Sequence, residues 1–330
     1  MRSLLVVALA GFSLVGCVGN MAVDPYAPKY GGEIAAGPVP DVRCAGTPPT
    51  AKARGFRLWR HKLTAKLARP NHRGFDLIAT TEQPQLLSGK LAYGVTDKKL
   101  DGEDVELFAC VAGTWQQLGA TRTDTRGHFV FAVPDPARLP VGLRDVYASV
   151  VADRSGVRFL AYVAPSDARL IVSDVDGTLT SSESSFVKAV IIGSYVKPHP
   201  GAAAALRETR DRGYQVVYLT ARSDRFTDAT RHWLGTHGFP RGPVRLAPSL
   251  IVMPGSATIA YKQRVLRGLA RFDIVAGVGN RKSDVAAYGA VGVSADRIFV
   301  KLPEYGGELG TALRAGAAVG FGAYGLLAVP

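Results

Sequence analysis

The spacing of apolar side chains divides the chain into unlike stretches. A continuous apolar run from Leu4 to Val15 follows Met1-Arg2 and precedes Gly16-Cys17. A short basic start, an apolar centre and a small residue at the end predict an export signal over residues 1–17. The run is shorter than the roughly 20 residues that a membrane span needs. Residues 18–55 are rich in Gly, Pro and Ala and show no periodicity, so they are expected to form a flexible tether. Over residues 56–70, Phe56, Trp59, Leu63 and Leu67 recur at helical spacing among Arg57, Arg60, Lys62, Lys66 and Arg69, and Pro70 ends the pattern. This predicts a basic amphipathic helix. Its apolar face either packs on the neighbouring domain or lies in a membrane interface.

The period then shortens. Over residues 71–166, short runs such as Leu86 to Val95, Val105 to Val111, Phe129 to Val133 and Val146 to Ala152 are separated by turn pairs such as Asp101-Gly102 and Arg126-Gly127. They predict an all-β domain similar to transthyretin-like or immunoglobulin-like sandwiches. His128 reads as a strand-end surface residue, not a ligand. From residue 167 to 310, apolar strands alternate with helical stretches such as Ala202 to Arg212, which predicts an α/β domain with a Rossmann-like parallel sheet. Ligands of such sheets bind at the carboxyl ends of the strands. Residues 311–330 form an apolar tail, expected to pack on that domain.

Composition changes this picture in two ways. The 330 residues allow two domains with separate cores, and the net charge of +13 favours anionic partners. No zinc-knuckle, helix-turn-helix or RNA-binding pattern is present, so lipid headgroups and phosphorylated substrates outrank nucleic acid. Beyond Cys17 only Cys44 and Cys110 remain. They allow one disulfide if export places them in an oxidising compartment, and sequence alone does not fix whether their geometry fits.

The candidate chemistry lies at strand ends. Asp174 and Asp176 follow the apolar strand Leu170-Ile171-Val172, and Gly177 permits the chain to turn so that both carboxylates serve one site. One carboxylate can attack phosphorus, while the other acts as general acid and then base. Thr220, at the end of Val216-Val217-Tyr218-Leu219, and Lys262 can hold phosphoryl oxygens. Asp174, Asp176, Asn280 and Asp284 supply the oxygen ligands that Mg²⁺ prefers. This motif order resembles the haloacid dehalogenase superfamily, which implies an aspartyl-phosphate at the first aspartate. Pro240-Arg241-Gly242-Pro243, Thr220-Ala221-Arg222 and Gly279-Asn280-Arg281 through Asp284 are more specific. They resemble the catalytic LNS2 domain of lipin-type phosphatidate phosphatases, which phosphatidylinositol-transfer proteins share.

That resemblance implies a phosphatidate phosphatase with a minimal cap, because the interval from Asp174 to Thr220 is short. Arg222 and Arg241 are candidate substrate contacts, and the apolar stretch Phe186 to Val196 either touches lipid or forms core. The transfer-protein branch is thought to bind phosphatidate without hydrolysis and to lack the first aspartate, whereas Asp174 is present here. Leu14-Val15-Gly16-Cys17 resembles a bacterial lipobox. This implies a lipidated Cys17, membrane attachment on the periplasmic or outer-membrane side, and a membrane phospholipid substrate. The competing expectations are a phosphatase of soluble phosphoesters or nucleotides, and a phosphatidate-binding lipoprotein without catalysis.

Overall fold

The computed structural model describes residues 32–34, 37–181, 196–248, 255–304 and 306–327. The export signal with Cys17 lies outside the described residues, as do most of the Phe186–Val196 stretch and the last three residues of the tail.

The first unit is a β-sandwich. Its strands are β1 (Gly32–Ile34), β2 (Asp41–Arg43), β3 (Arg73–Phe75), β4 (Leu77–Thr80), β5 (Leu86–Lys90), β6 (Ala92–Tyr93), β7 (Lys98–Lys99), β8 (Asp104–Val111), β9 (Thr114–Arg122), β10 (His128–Ala132), β11 (Gly142–Val150) and β12 (Gly156–Ala164). One sheet runs β1-β2-β11-β12-β4, with β8 and β9 continuing from β11, and the facing sheet is β10-β5-β3. The period of two is clear in β8, where Val105, Leu107 and Ala109 point inward. They meet Leu87 and Phe129 of the facing sheet in one core.

Two expectations about the amino-terminal half change. Residues 37–55 are not a free tether. β2 pairs in parallel with β11, and Cys44 is disulfide-bonded to Cys110. Gly and Pro content resembles a linker, but Val39, Val42 and Cys44 are buried here. The predicted helix forms as α1 (Trp59–Leu67). Its large apolar side chains do not pack on the domain: Trp59, Leu63 and Leu67 are 79%, 50% and 76% exposed. Ala65 and Ala68 pack on the sandwich instead. The helix is pinned in this rotation by buried His61, whose Nδ1 lies 2.7 Å from Glu103 Oε1 and Nε2 3.3 Å from Asp101 Oδ1.

The second unit is the expected α/β domain. It comprises β13 (Arg169–Ser173), α2 (Ala202–Asp211), β14 (Gln215–Ser223), α3 (Thr227–Thr236), β15 (Val244–Ala247), α4 (Ser256–Leu269), β16 (Asp273–Gly279), α5 (Lys282–Gly289), β17 (Ile298–Lys301), α6 (Gly306–Arg314) and β18 (Val319–Phe321). The sheet order is β15-β14-β13-β16-β17-β18, and every pairing is parallel. Leu206, Trp233 and Leu234 cover one face, while Leu266, Leu269, Val285 and Leu309 cover the other. Parallel strands buried on both faces explain the uninterrupted apolar runs in the sequence. The apolar tail is part of this unit, because β18 adds the sixth strand and Tyr324 is buried against it.

The two units share a core. Leu143, Leu160 and Tyr162 of the sandwich join the cluster around Leu170, Val172 and Phe272. Buried ion pairs line the same junction. Arg241 contacts both Asp41 and Asp145. Asp76 accepts two bonds of 3.0 Å from Arg231 and one of 2.7 Å from each of the Val244 and Leu160 amides. The expectation that Arg241 contacts substrate is therefore corrected. Two sandwich carboxylates, which Arg43 and Arg158 also meet, hold its guanidinium there.

Candidate active site

β13 lies at the centre of the sheet, with β14 and β16 on either side. The chain order reverses at this point, which opens a crevice at the carboxyl ends of the strands. The structure brings Asp174, Asp176, Thr220, Lys262, Asn280 and Asp284 together there.

The loop after β13 is set by its backbone. The Asp174 amide donates to Val278 O at 2.8 Å, which ties the loop to β16. Gly177 has φ of 71°, and a Cβ there would lie 2.1 Å from Asn280 Nδ2. Only glycine serves, both for the left-handed backbone and for the close approach. The Gly177 amide donates to Thr180 Oγ1 at 2.9 Å. Tyr324 Oη donates to Thr178 O at 2.6 Å, so the end of the chain braces the same loop.

Asp174 is 4% exposed. Lys262 Nζ donates to Asp174 Oδ1 at 2.6 Å and to Asp284 Oδ1 at 2.5 Å. Thr178 Oγ1 lies 3.0 Å from Asp174 Oδ2 and 3.3 Å from Asn280 Oδ1. Asp284 Oδ2 accepts the amides of Asn280 and Arg281 at 3.0 and 3.1 Å, where its charge also suits the first turn of α5. Burial pushes the Asp174 carboxyl up from 3.8 to about 7, against the pull of the Lys262 cation and with help from the Asp284 and Asp176 charges. Burial works against the charge of Lys262, but Asp174 and Asp284 hold its pKa above the usual lysine value.

Asp176 turns the other way. Its Oδ2 accepts from Thr220 Oγ1 at 2.9 Å. Arg222 grips it with Nε at 2.7 Å from Oδ2 and Nη2 at 2.6 Å from Oδ1, a two-pronged ion pair that fixes its plane. Arg222 Nη1 donates to Thr230 Oγ1 at 3.1 Å, and the side chain is almost wholly buried. Arg222 was expected to touch substrate. Its guanidinium instead orients Asp176.

Three carboxylates, Asp174, Asp176 and Asp284, thus face two fixed cations, Lys262 and Arg222. The surplus negative charge and the pressure on Asp174 suit a small hard cation such as Mg²⁺. The four expected oxygen ligands are not equivalent. Asp174 Oδ2 and Asn280 Oδ1 converge on the Thr178 hydroxyl and fit a shared ion. The Asp176 side chain is committed to Arg222 and Thr220, and Asp284 is committed to Lys262 and two backbone amides. The buried Asn280 Nδ2 has no hydrogen-bond partner, so it remains available as a donor to a substrate oxygen.

Three further side chains take part. Thr178 stands inside the aspartate motif, and its hydroxyl position could have marked it. Tyr288 Oη donates to Val172 O and Val278 O, both at 3.1 Å, and so ties β13 to β16. It and Tyr324 are remote in sequence from the aspartates, and no local pattern points to them.

A parallel sheet of this order, with the aspartate loop after its central strand, is a Rossmann-like, haloacid dehalogenase-like fold, here preceded by a β-sandwich. Residues 171–301 match the family model described as PITM 1-3, LNS2 domain, and residues 70–163 match that described as PITM 1-3, beta-sandwich domain. The α/β unit is therefore an LNS2 domain. Among curated relatives, membrane-associated phosphatidylinositol transfer protein 3 of Mus musculus is 32% identical over 267 residues, covering 77% of this chain and 26% of that protein. Membrane-associated phosphatidylinositol transfer protein 1 of Homo sapiens is 31% identical over 249 residues, covering 73% of this chain and 19% of that protein. The chain thus spans about a quarter or less of the length of these relatives. A putative beta-phosphoglucomutase from Thermotoga maritima aligns with 47% of this chain and 94% of its own, at 16% identity and a TM-score of 0.34.

Proposed function

We propose that the chain is a Mg²⁺-dependent phosphoric monoester hydrolase acting on phosphatidate and tethered to a membrane outside the cytoplasm through Cys17. The observation that carries the catalytic reading is Asp174. It is a buried carboxylate with its charge opposed by burial, held between Lys262 and Thr178 at the carboxyl end of the central strand. Asp174 Oδ attacks phosphorus, and the bond from phosphorus to the ester oxygen breaks. Asp176, oriented by Arg222, gives a proton to the departing alkoxide and then takes one from the water that attacks the aspartyl-phosphate. Lys262 and Thr220 neutralise and hold the phosphoryl oxygens. Asp174 and Asn280, with Asp176 and Asp284 beside them, would hold Mg²⁺, which would supply the positive charge that lets two anions approach.

Three observations support the lipid and the location. The LNS2 match and the membrane association in the relatives' names favour a phospholipid ester. The surplus of basic residues favours an anionic surface. The Cys44–Cys110 disulfide favours an oxidising compartment. Among the described residues no helix is long and apolar enough to cross a membrane.

The test is Mg²⁺-dependent phosphate release from phosphatidate in mixed micelles, beside a panel of soluble phosphoesters. Release from phosphatidate should fall by about 10⁴-fold or more in Asp174→Asn. Release that persists in that variant would remove Asp174 as nucleophile, and release from soluble esters alone would remove the lipid. Labelling with a radioactive fatty acid should disappear in Cys17→Ala.

A further inference from the structure

The rotation of α1 leaves a surface that neither unit covers. Trp59, Leu63 and Leu67 are spaced one turn apart, so they form a single stripe on the helix. Lys62 and Lys66 lie on the same side at the intervening positions and are exposed. The opposite side carries the small residues Ala65 and Ala68 and the buried His61. Because His61 sits between Glu103 and Asp101, the helix cannot roll to bury its large residues without breaking those contacts. A Trp and two Leu left in water are unfavourable unless something covers them.

This stripe is continuous with the catalytic edge. The Gly94 amide donates to Arg69 O at 2.8 Å, and Pro70 forms an isolated bridge with Tyr93, so the end of α1 is stitched to the β6–β7 hairpin. The hairpin tip presents Val95, 68% exposed, beside exposed Lys98. Arg225 Nη1 donates to Val95 O at 3.0 Å. Arg225 belongs to the short turn Asp224–Phe226, which directly follows Ser223, the last residue of β14 and the neighbour of Arg222. Helix, hairpin and catalytic edge are thus linked in an unbroken series of contacts.

We propose that the exposed face of α1 and the tip of the β6–β7 hairpin form a docking surface for an anionic lipid bilayer. Trp59, Leu63 and Leu67 enter the interface, while Lys62, Lys66 and Lys98 meet lipid phosphates. Two features favour a bilayer over a second copy of the chain. A stable dimer needs about 800 Å² from each partner, more than three apolar side chains of a nine-residue helix provide. A two-fold self-contact would also set Lys62 and Lys66 against their own copies. The surface does not depend on which ester is hydrolysed, since docking can be measured without turnover.

The test uses the full chain carrying Cys17→Ala, so that no lipid anchor contributes. Cosedimentation is measured with vesicles of phosphatidylcholine alone and with added phosphatidylglycerol. Binding should require the anionic lipid. It should weaken by at least ~10-fold both in Trp59→Ser/Leu63→Ser/Leu67→Ser and in Lys62→Glu/Lys66→Glu, with unchanged thermal midpoints because these side chains are exposed. Tryptophan emission should shift to the blue on anionic vesicles, and Trp59→Phe should remove the shift, since Trp233 is buried and Trp115 packs on the Cys44–Cys110 cluster with its Nε1 bonded to Ala45 O at 3.2 Å. Equal binding of the triple variant, or a shift that survives Trp59→Phe, would overturn the proposal. So would self-association, seen by sedimentation equilibrium, that the triple variant abolishes.

Discussion

Two buried clusters of charge lie near opposite ends of β14, and they are built to different purposes. At the junction between the units, Asp41 and Asp145 share Arg241, Arg43 lies 2.5 Å from Asp41, and Arg158 lies 3.0 Å from Asp145. Asp76 is met by Arg231 and by two amides. Each carboxylate there is answered by a guanidinium from within the chain. At the catalytic edge, three carboxylates share two cations, and Asp174 bears the imbalance. The residue types are the same in both places. A completed cluster holds two units together, and an uncompleted one leaves negative charge that a cation can answer.

The comparison breaks most visibly at Arg241. Arg241→Ala removes the buried partner that Asp41 and Asp145 share and leaves them only the more exposed Arg43 and Arg158, and removing one partner of a buried pair costs about 3–5 kcal/mol. Denaturant unfolding should show that loss, while turnover per folded molecule stays near the native value. A loss under about 1 kcal/mol would mean that the junction is open to water, as at surface pairs. The opposite pattern is expected at Asp174, where removing a charge relieves the fold. Its carboxyl is raised from 3.8 to about 7. A group raised in the folded state contributes stability that is full below its unfolded value and is lost as pH rises through the folded one. Without Mg²⁺, native protein and Asp174→Asn should therefore unfold alike below about pH 4. Above pH 7 the variant should be more stable, by on the order of 2 kcal/mol, less than the raised pKa alone implies because Lys262 loses a counter-charge. Added Mg²⁺ should stabilise the native protein and narrow the gap. Calorimetry across pH, with and without the metal, reads both effects.

Much of this was legible in the sequence, and the exceptions share a cause. Residues positioned by local backbone chemistry lie together at the strand ends, as their spacing implies. The strand–Asp174–Gly177 turn and the ends of β14 and β16 carry their function in consecutive positions. The parallel sheet followed from apolar runs bounded by loops. What failed depends on partners distant in sequence. Arg241 was drawn to a substrate by its motif, yet the carboxylates that hold it come from the sandwich. Residues 37–55 looked like a tether until β11 and Cys110 supplied their partners. The α1 stripe was read by period alone. Period gives which residues share a face but not which face is buried, and that was decided by one histidine and two acids some 40 residues away.

Arg222 sharpens the comparison, because it belongs to the catalytic edge and yet behaves like a junction arginine. It is buried, two-pronged and engaged by Thr230 as well as Asp176. If its task is to orient Asp176, the charge alone does not suffice and the planar fork matters. Arg222→Lys keeps the charge but replaces the two-pronged grip with a single point contact, so Asp176 is free to rotate about its own bonds. Substrate binding should be little altered, because the lysine still offsets the carboxylate, while kcat falls about 10-fold as the proton donor loses its alignment. A direct substrate contact would behave otherwise, with KM rising and kcat less affected. The same variant should leave unfolding within about 1 kcal/mol of native, since Asp176 remains near solvent and, unlike Asp41 and Asp145, is not sealed between two units when its partner weakens.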